Sequence, residues 1–417
     1  MRILYVCHRF PYPPKRGGKI RPFNMIRHLN TSHDVVVAAP SRTVAEAAEG
    51  EGIANYCASF ETAVVNAPIQ AARMIGRLPT PSPSSVGWFH SSRLARRISH
   101  RLATERFDLV FVHCSSVAHY VKHVRGIPKI LDFGDMDSQK WLEYARVKPW
   151  LFRPGYWLEG RKMVAEEKRL ARRFDLCTTT TRAEWETLES YGAAKATDWF
   201  PNGVDSAYFA PADEPCEPEQ ISFVGRMDYY PNQQCMLEFC AAVWPRLREL
   251  RPKLRLSIVG ADPSPAIRQL GQLPGVTVTG SVPDVRPYLR RSALTVAPLR
   301  IARGTQNKIL EAMAQGIPVV TSRLAAGGVD AVPGEHLVTA DSVDEQVAAI
   351  VSILERPDER ARLAHAGRTR VLSHHAWDRS MQRLDAIIDR CVTQFSRGTQ
   401  ERPSKGWGEK VAPAVKR

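Results

Sequence analysis

Residues 294–321 have the sequence LTVAPLRIARGTQNKILEAMAQGIPVVT. The stretch opens with an apolar, β-branched run at Leu294–Ala297 and closes with a second such run at Pro318–Thr321. Between the two runs, apolar residues recur at helical spacing over Asn307–Gln315. A strand, a glycine-bearing loop, a helix and another strand in this order predict one unit of a parallel sheet with its crossover helix.

Strands and helices alternate in this way through most of the chain. The strands predicted in the first half are Arg2–Val6, Asp34–Ala39, Asp108–His113, Lys129–Phe133 and Asp175–Thr180. Those predicted in the second half are Ile221–Val224, Leu254–Val259, Val276–Thr279, Leu294–Ala297 and Pro318–Thr321. The predicted helices include Gly160–Arg173, Asn232–Leu250, Asp284–Arg291 and Asn307–Gln315. Because the strands are largely apolar, we expect α/β domains in which helices cover both faces of each doubly wound parallel sheet.

The strand series begins again near Ile221, which divides the chain into two domains. The stretch before it is the best candidate for a linker. Its prolines are Pro201, Pro211, Pro215 and Pro218. We predict a Rossmann-like N-terminal domain at 1–200 that binds the acceptor and a Rossmann-like C-terminal domain at 201–376 that binds the donor. Ligands of such domains bind where strands end and helices begin, so we expect the site in the cleft between them.

The end of the chain departs from the strand–helix alternation. Helical periodicity continues through Val343–Glu355, Pro357–Ser373 and Trp377–Arg390. We predict that a helix at 377–395 packs back on the N-terminal domain. Residues 396–417 are polar and basic and contain proline and glycine, which predicts a disordered tail.

The 417-residue chain carries a formal net charge of +15. Nucleic acid, an anionic membrane leaflet and phosphorylated small molecules are all physically suitable partners for this charge. No known nucleic-acid-binding module occurs in the sequence, so we expect no nucleic acid partner.

We expect a cytoplasmic protein. No apolar run reaches the roughly eighteen residues that a membrane-spanning helix needs. The N-terminal sequence MRILYVCHRFPYPP indicates a first strand rather than a signal peptide. The eight cysteines form no CxxC pair, which favours reduced thiols over disulfides or zinc ligands.

Basic residues cluster with aromatic residues in two stretches. The first runs from Trp88 to Arg101. The second runs from Lys140 to Arg173 and includes Trp141, Trp150, Phe152, Tyr156 and Trp157. Aromatics beside arginines are typical of a membrane interface, which predicts peripheral binding to the anionic inner face of the cytoplasmic membrane. The alternative is a solvated basic helix face over a packed aromatic core.

The first strand is followed by a loop in which Gly17 and Gly18 precede a predicted helix. Glycines at a helix start let a ligand approach the backbone amides, where the helix dipole favours anions. A tight strand–helix turn would use the same glycines. Their position at the end of the first strand places them at the predicted cleft.

Arg226 follows the strand Ile221–Val224 and a glycine, so it lies at the carboxyl edge of the second sheet. From there a guanidinium can bind phosphate oxygens through two parallel hydrogen bonds. It can equally pair with a carboxylate such as Asp228.

In the stretch that opened this section, Arg303, Gly304 and Thr305 precede the helix, and Lys308 lies in its first turn. Free backbone amides, the helix dipole and the lysine charge together favour a diphosphate. Glu311 lies one turn further along the same face, where a carboxylate can hold sugar or ribose hydroxyls. The alternative is a Lys–Glu surface pair on an ordinary helix.

Four strings resemble the retaining glycosyltransferases of the two-domain group 1, or family 4, class with the GT-B fold. They are Gly17-Gly18, FPNGVD at 200–205, VGR at 224–226 and KILEAMAQGIPVV at 308–320. The resemblance extends over roughly residues 1–390. The strings at 131–141 and 228–232 are similar to bacterial sugar transferases of exopolysaccharide and exosortase (PEP-CTERM) loci.

The resemblance implies a nucleotide-sugar donor, UDP- or GDP-linked, and a glycan or lipid-linked acceptor. It also implies that Arg226 and a basic residue of the following helix neutralise the donor diphosphate, while Glu311 holds the ribose. Many members carry a glutamate where this chain has Arg303, and a lysine in the loop where it has 230–232. Lys308 and Arg303 are candidates for the missing positive charge, and the usual glutamate contact to the sugar hydroxyls is left unassigned.

His113 ends a predicted strand and matches the histidine that many members place beside the transferred sugar. The resemblance implies a hydrogen bond to a sugar hydroxyl, and a purely local hydrogen bond is the alternative. Asp135 and Asp137 are candidates for acceptor binding or for helix capping. Since this class neutralises phosphate with protein charges, we expect no metal and no other cofactor.

We therefore predict transfer of a sugar to an acceptor hydroxyl with retention, in exopolysaccharide or other cell-surface glycan synthesis. His113, Arg226 and Lys308 are the predicted catalytic residues, the cations stabilising the leaving diphosphate. One alternative is a nucleotide-sugar 2-epimerase of the same fold. The other is a non-catalytic nucleotide-binding or membrane-docked scaffold, which the departure at Arg303 would allow.

Overall fold

The computed structural model describes residues 1–14, 17–212 and 216–400, with side chains up to residue 397. It contains a sheet of seven strands and a sheet of six strands, both flanked by helices. All strand pairs within the two sheets are parallel in this part of the chain. The predicted α/β class with two doubly wound parallel sheets is confirmed.

The first sheet has the strand order β3-β2-β1-β4-β5-β6-β7. Its strands are β1 (Arg2–Cys7), β2 (Asp34–Ser41), β3 (Ser59–Val64), β4 (Leu109–His113), β5 (Lys129–Gly134), β6 (Leu176–Thr179) and β7 (Thr197–Trp199). Its helices are α1 (Gly17–Leu29), α2 (Val44–Glu49), α3 (Ala67–Arg77), α4 (Ser92–Thr104), α5 (Asp137–Val147), α6 (Arg153–Ala171) and α7 (Arg182–Ser190). Because the central strands β1 and β4 are parallel neighbours, Cys7 and His113 end side by side at one edge of the sheet.

The second sheet has the strand order β10-β9-β8-β11-β12-β13. Its strands are β8 (Glu217–Val224), β9 (Arg255–Val259), β10 (Val276–Gly280), β11 (Ser292–Ala297), β12 (Val319–Thr321) and β13 (Val338–Thr339). The helices are α8 (Tyr230–Glu238), α9 (Trp244–Leu250), α10 (Pro265–Gln269), α11 (Arg286–Arg290), α12 (Asn307–Ala314), α13 (Arg323–Ala326), α14 (Val343–Glu355), α15 (Pro357–His374) and α16 (Trp377–Gln400). The central strands β8 and β11 thus precede the two segments in which we predicted phosphate-binding cations.

Three strands were missed by the sequence analysis, namely β3, β7 and β13. Each lies at an edge of its sheet, where one side of the strand is unpaired. β3 is only partly buried and contains Glu61 and Thr62, while β7 and β13 have three and two residues. Short or half-exposed strands lack the continuous apolar run that marks a buried parallel strand.

α6 begins at Arg153, earlier than the predicted start at Gly160. Pro154 falls in its first turn, where the missing amide hydrogen costs nothing because the first amides of a helix have no partner within it.

In the described part of the chain, no helix is both long and apolar enough to span a bilayer.

α16 returns to the first domain after the chain has crossed the second. Met381, Leu384 and Ile387 share one buried cluster with residues of the first sheet. His28 and Asp385 approach to 2.9 Å, and Arg390 and Asp198 to 2.8 Å. α16 is therefore held on the first domain by apolar packing, by the hydrogen bond between His28 and Asp385 and by the ion pair between Arg390 and Asp198.

The disordered tail predicted from residue 396 starts too early. α16 continues to Gln400, and the Ser396 hydroxyl donates a hydrogen bond to the carbonyl of Val392, one turn back. The polar composition concealed the helix because a side chain on an exposed helical turn needs no apolar partner. The rest of that predicted tail, 401–417, lies outside the described residues.

The two crossings between the domains run beside each other. The Val204 amide donates to the carbonyl of His375 at 2.8 Å, and Gly203 lies against Trp377, the first residue of α16. A Cβ atom at Gly203 would lie 2.6 Å from the Trp377 side chain and 2.7 Å from its Cα. The close approach of the two crossing segments therefore requires glycine at this position.

Gly203→Ala is expected to lower the free energy of unfolding by about 1–3 kcal/mol, because the added methyl group overpacks the contact with Trp377. Urea denaturation followed by circular dichroism measures the change. Gly76→Ala in α3 is the matched control, since no atom lies within 4 Å of its added Cβ and alanine favours a helix. Equal stability of Gly203→Ala and the wild type would show that the crossing segments move apart at no cost.

Candidate active site

The loop before α12 gives the helix a free N-terminus. Gly304 has a φ of +61°, a conformation that glycine adopts without strain. Gln306, the residue before the helix, makes no side-chain capping bond, and the Thr305 hydroxyl and the Asn307 side-chain oxygen have no hydrogen-bond partner among the described residues. Unpaired amides at the positive end of a helix dipole form a suitable site for an anion.

Lys308 projects from the first turn of α12 towards the end of β8. Its ammonium donates to the side-chain oxygen of Asn232 and lies 4.7 Å from the centre of the Phe223 ring. Burial lowers the pKa of Lys308 to about 8, with the nearby Cys235 and Glu311 opposing the shift. The alternative, a Lys–Glu pair on the surface, is therefore not what the structure contains, because this lysine is held in a partly desolvated pocket.

Arg226 lies directly after β8 and pairs with two carboxylates. Its guanidinium donates to both oxygens of Asp228, at 3.0 and 2.6 Å, and also to Asp262. The carboxylate pairing that the sequence left open is thus present. The side chain is still 36% exposed, so it has room to exchange one carboxylate for a phosphate oxygen.

Glu311 lies one turn beyond Lys308, as the sequence predicted. Burial raises the pKa of Glu311 to about 7, although the Lys308 ammonium counteracts the effect. Glu311 lines a cavity of about 440 Å³, whose wall also includes Asn24, Phe209 and Trp377. The cavity lies between α1, α12 and the crossing segments. The hydroxyls of a ribose placed there would face the Glu311 carboxylate.

The first domain contributes Gly17 and Gly18 at the start of α1. A Cβ at Gly17 would lie 3.9 Å from the Asn307 side-chain nitrogen, so the two helix starts approach each other across the cleft. A Cβ at Gly18 would crowd the side chain of Arg9 at 3.3 Å. Both glycines therefore lie at the cleft, and Gly17 faces the predicted diphosphate helix.

His113 ends β4 and is held by a carboxylate that the sequence analysis did not single out. Its Nδ1 lies 2.8 Å from Asp132 Oδ2, and Arg21 donates to both oxygens of the same carboxylate. The acceptor at Nδ1 assigns the ring proton to that nitrogen, which leaves Nε2 as the second hydrogen-bonding atom. The signal available in the sequence was the aspartate within the string at 131–141.

Asp135 and Asp137 do not cap α5 through their side chains. Met136 precedes the helix and makes no capping bond, and Asp137 is already in the first turn. Asp135 accepts a hydrogen bond from the Thr180 hydroxyl at 2.8 Å. A Cβ at Gly304 would lie 1.9 Å from Asp135 Oδ1, so this carboxylate contacts the loop of the second domain.

Arg303 also reaches the first domain. Its guanidinium lies 2.6 Å from Glu143 on α5 and 3.7 Å from Glu184 on α7. Burial raises the pKa of Glu184 to about 7, and Asp135 adds to the shift, while hydrogen bonds from the backbone of Met136 and Gly304 oppose it. In this structure Arg303 pairs with carboxylates of the opposite domain, and the donor contact that we predicted for it stays a prediction.

The cleft thus brings together the predicted residues of both domains. Arg226 follows β8, and Lys308 lies beside Gly225 at the same carboxyl edge of the second sheet. In the first domain, His113 ends β4 and Asp135 follows β5, and Asp135 and Gly17 approach Gly304 and Asn307. A negatively charged group bound to α12 would therefore have its outer end between the two sheets.

Two sequence families match the chain. Residues 16–208 match the family described as glycosyltransferase family 4, and residues 218–356 match the family described as glycosyl transferases group 1. The first match covers most of the first sheet and the second covers the second sheet through α14. The break between the matches falls just before β8.

Relatives and structural neighbours agree with the family matches. A D-inositol 3-phosphate glycosyltransferase of Nocardiopsis dassonvillei is 26% identical over 69% of this chain and 71% of its own length. A glycogen synthase of Mycobacterium tuberculosis is 26% identical over 90% of this chain and 92% of its own.

Two solved structures have the same fold. The sucrose-phosphate synthase of Thermosynechococcus elongatus superimposes with a TM-score of 0.68 at 15% identity, covering 94% of this chain and 100% of that one. Anabaena HepE in complex with UDP-glucose gives 0.67 at 13% identity, with coverage of 94% and 100%. The two facing parallel sheets, the helix-start site between them and the two family matches show that this chain is a GT-B glycosyltransferase of the group 1, or family 4, class.

Proposed function

We propose that the enzyme transfers a sugar from a UDP- or GDP-sugar to an acceptor hydroxyl, with retention at the anomeric carbon. The observation that carries the proposal is the free N-terminus of α12 with the Lys308 ammonium beside it. A diphosphate is the part of a nucleotide sugar that such a site fits. The complex of the structural neighbour HepE with UDP-glucose supports this class of donor.

In this mechanism the protein stabilises the charge that develops on the leaving diphosphate. The Lys308 ammonium and the N-terminus of α12 are in place before the reaction, so they need no reorganisation when the bond breaks. The Arg226 guanidinium joins them by exchanging one of its carboxylates for a phosphate oxygen. Protein charges take the role that a divalent metal plays in other transferases, and we expect activity without a metal. Glu311 holds the ribose hydroxyls.

His113 acts on the sugar side of the same cleft. Because Asp132 fixes its Nδ1, the ring keeps Nε2 as its second hydrogen-bonding atom. We expect Nε2 to hydrogen-bond a hydroxyl of the transferred sugar. The acceptor hydroxyl attacks from the face that the diphosphate leaves, and a diphosphate oxygen takes its proton.

The two stretches in which basic and aromatic residues cluster have different surroundings in the structure. In the first stretch, Arg97 and Arg101 pair with Glu61, and Phe89 packs against the core, as the alternative interpretation predicted. The second stretch differs, because Trp150 is 77% exposed and Trp157 55%.

We call the exposed apolar side chains of this second stretch the aromatic patch. Its members are Val147, Trp150, Leu151, Phe152, Trp157 and Leu158. Arg153 and Arg161 are exposed beside them. An apolar patch with a basic rim fits an anionic bilayer, so we propose a lipid-linked or cell-surface glycan acceptor such as an exopolysaccharide precursor, reached from the cytoplasmic face.

A screen of nucleotide sugars tests the proposed reaction. Thermal shift identifies the donor, and release of UDP or GDP with an acceptor lipid fraction measures transfer. NMR of the product shows whether the sugar is transferred with retention or only epimerised at C2. Nucleotide binding without release or epimerisation would instead indicate the scaffold.

Lys308→Ala and Arg226→Ala are each expected to lower turnover at least about 100-fold, because each removes a charge that stabilises the leaving group. Nucleotide release under saturating donor measures the loss. Arg246→Ala, on an exposed ion pair with Asp344, is the control and should keep wild-type turnover. Full activity of both site variants would refute the placement of the diphosphate.

Affinity for UDP is expected to weaken about tenfold between pH 7 and pH 9, since Lys308, with a pKa of about 8, passes from mostly charged to mostly neutral. Calorimetry at the two pH values measures the dissociation constant. Lys308→Arg remains charged throughout and should lose most of this pH dependence. The same pH profile in both proteins would exclude the Lys308 ammonium as a diphosphate ligand.

Arg153→Glu with Arg161→Glu is expected to reduce binding to phosphatidylglycerol vesicles about tenfold or more, since each basic residue near an anionic surface contributes roughly 1 kcal/mol. Sedimentation at low salt measures the bound fraction. Leu372→Ala, an exposed apolar position in the second domain, is the control. If wild-type protein and the double variant bind the vesicles equally, the aromatic patch is not the membrane surface.

A further inference from the structure

Arg303 belongs to the second domain, yet both of its carboxylate partners belong to the first. It lies between β11 and α12, one residue before Gly304, and its guanidinium is within ion-pair distance of Glu143 and Glu184. Its neighbour Arg300 behaves differently, because it pairs at 3.0 Å with Glu238 of its own domain. One loop therefore contains an arginine that crosses the cleft and an arginine that does not.

The crossing ion pair is shielded from water. The side chains of Arg303, Glu143 and Glu184 are 25%, 12% and 2% exposed. Charges in such surroundings interact more strongly than an exposed surface pair, and a partner left alone there is costly. The pairing therefore affects how the two domains sit against each other far more than an exposed ion pair would.

Glu143 lies on a face of α5 that contacts the second domain along its length. Lys140, one turn earlier, lies 5.6 Å from the centre of the Tyr229 ring, and Tyr144 packs edge-to-face on Tyr230 at 6.2 Å. Residues three and four apart share one face of a helix. α5 thus contacts both the start of α8 and the loop before α12.

The backbone of the second domain completes this contact at Gly304. Any side chain at this position would overlap the Asp135 carboxylate, which lies just before α5. The Gly304 backbone also bonds Glu184, the second partner of Arg303. Side chains and backbone of the 303–304 loop are therefore both engaged by the first domain.

We propose that Arg303 is a positioning residue that holds the two domains closed over the donor by pairing with Glu143 and Glu184. It takes no part in binding the transferred sugar. Closure excludes water from the cleft, so the pair favours transfer over hydrolysis of the donor. The effect on catalysis rests on the proposed function, whereas the effect on domain closure does not.

Charge reversal and its repair test the proposal. Arg303→Glu places three carboxylates together and is expected to open the cleft, which raises the radius of gyration in X-ray scattering and the hydrogen exchange of α5. Glu143→Arg combined with Arg303→Glu restores an attractive pair and is expected to restore both values towards wild type. Arg300→Glu is the matched control on the same loop and should leave both unchanged. Thermal unfolding of each variant establishes that it is folded.

Steady-state kinetics of the same variants, with the donor identified in the nucleotide-sugar screen, give a second test. Arg303→Glu is expected to raise the donor KM about tenfold and to increase the ratio of donor hydrolysis to transfer, with repair in the double variant. A folded double variant that stays open or unrepaired would overturn the proposal, as would an Arg303→Glu variant with unchanged scattering and exchange. The proposed function fails separately if Arg303→Glu opens the cleft and the double variant closes it again, but the wild-type enzyme releases no nucleotide. That outcome would support the role of Arg303 in domain closure and contradict the proposed function.

Discussion

A fully buried carboxylate, that of Asp132 on β5, joins the parts of the first domain that reach the cleft. It accepts hydrogen bonds from Arg21 of α1, from His113 of β4 and from Thr178 of β6, and Arg21 also donates to the carbonyl of Phe200 at 3.0 Å. Burial alone would raise the pKa of Asp132, but Arg21 and His113 hold it well below its ordinary value. Since an unpaired buried charge costs several kcal/mol, these elements keep one arrangement.

The pairing of Asp132 with Arg21 and His113 also connects the cleft to the domain junction. Arg21 donates to the Asn202 side chain at the first crossing between the domains, and the His375 ring lies beside the carbonyl of Asn202 at the second. The carboxylate that sets the orientation of His113 is therefore also bound by Arg21, the residue that bonds the linker. In the second domain the cations are placed differently, because Lys308 stands on the first turn of a helix and is held by a neutral amide. A histidine fixed by a carboxylate in the first domain thus contrasts with a lysine held by a neutral amide in the second.

Local patterns were sufficient for the fold and for one half of the site. Buried parallel strands and the helix at 307–314 have strong periodic signals, and Lys308 and Glu311 follow from the first turns of that helix. The pairing of Arg303 with Glu143 was not predictable, because it joins distant parts of the chain that meet only when the two domains face each other. The role of Asp132 was missed for a related reason. Its partners Arg21, His113 and Thr178 are distant in the sequence and meet it only in the folded domain. Edge strands were missed because they carry little apolar sequence.

The basic residues of the chain lie in different surroundings in the folded protein. Two arginines of α4 pair with acidic neighbours, Arg153 and Arg161 stay exposed beside the aromatic patch, and Arg226 and Arg303 of the cleft are held by carboxylates. A crystal structure of the enzyme with UDP or GDP bound tests the central claim most directly. The account predicts the diphosphate on the amides at the start of α12, between Lys308 and Arg226, with the ribose on Glu311. A diphosphate bound elsewhere, or bound there without contact to Lys308, would contradict it.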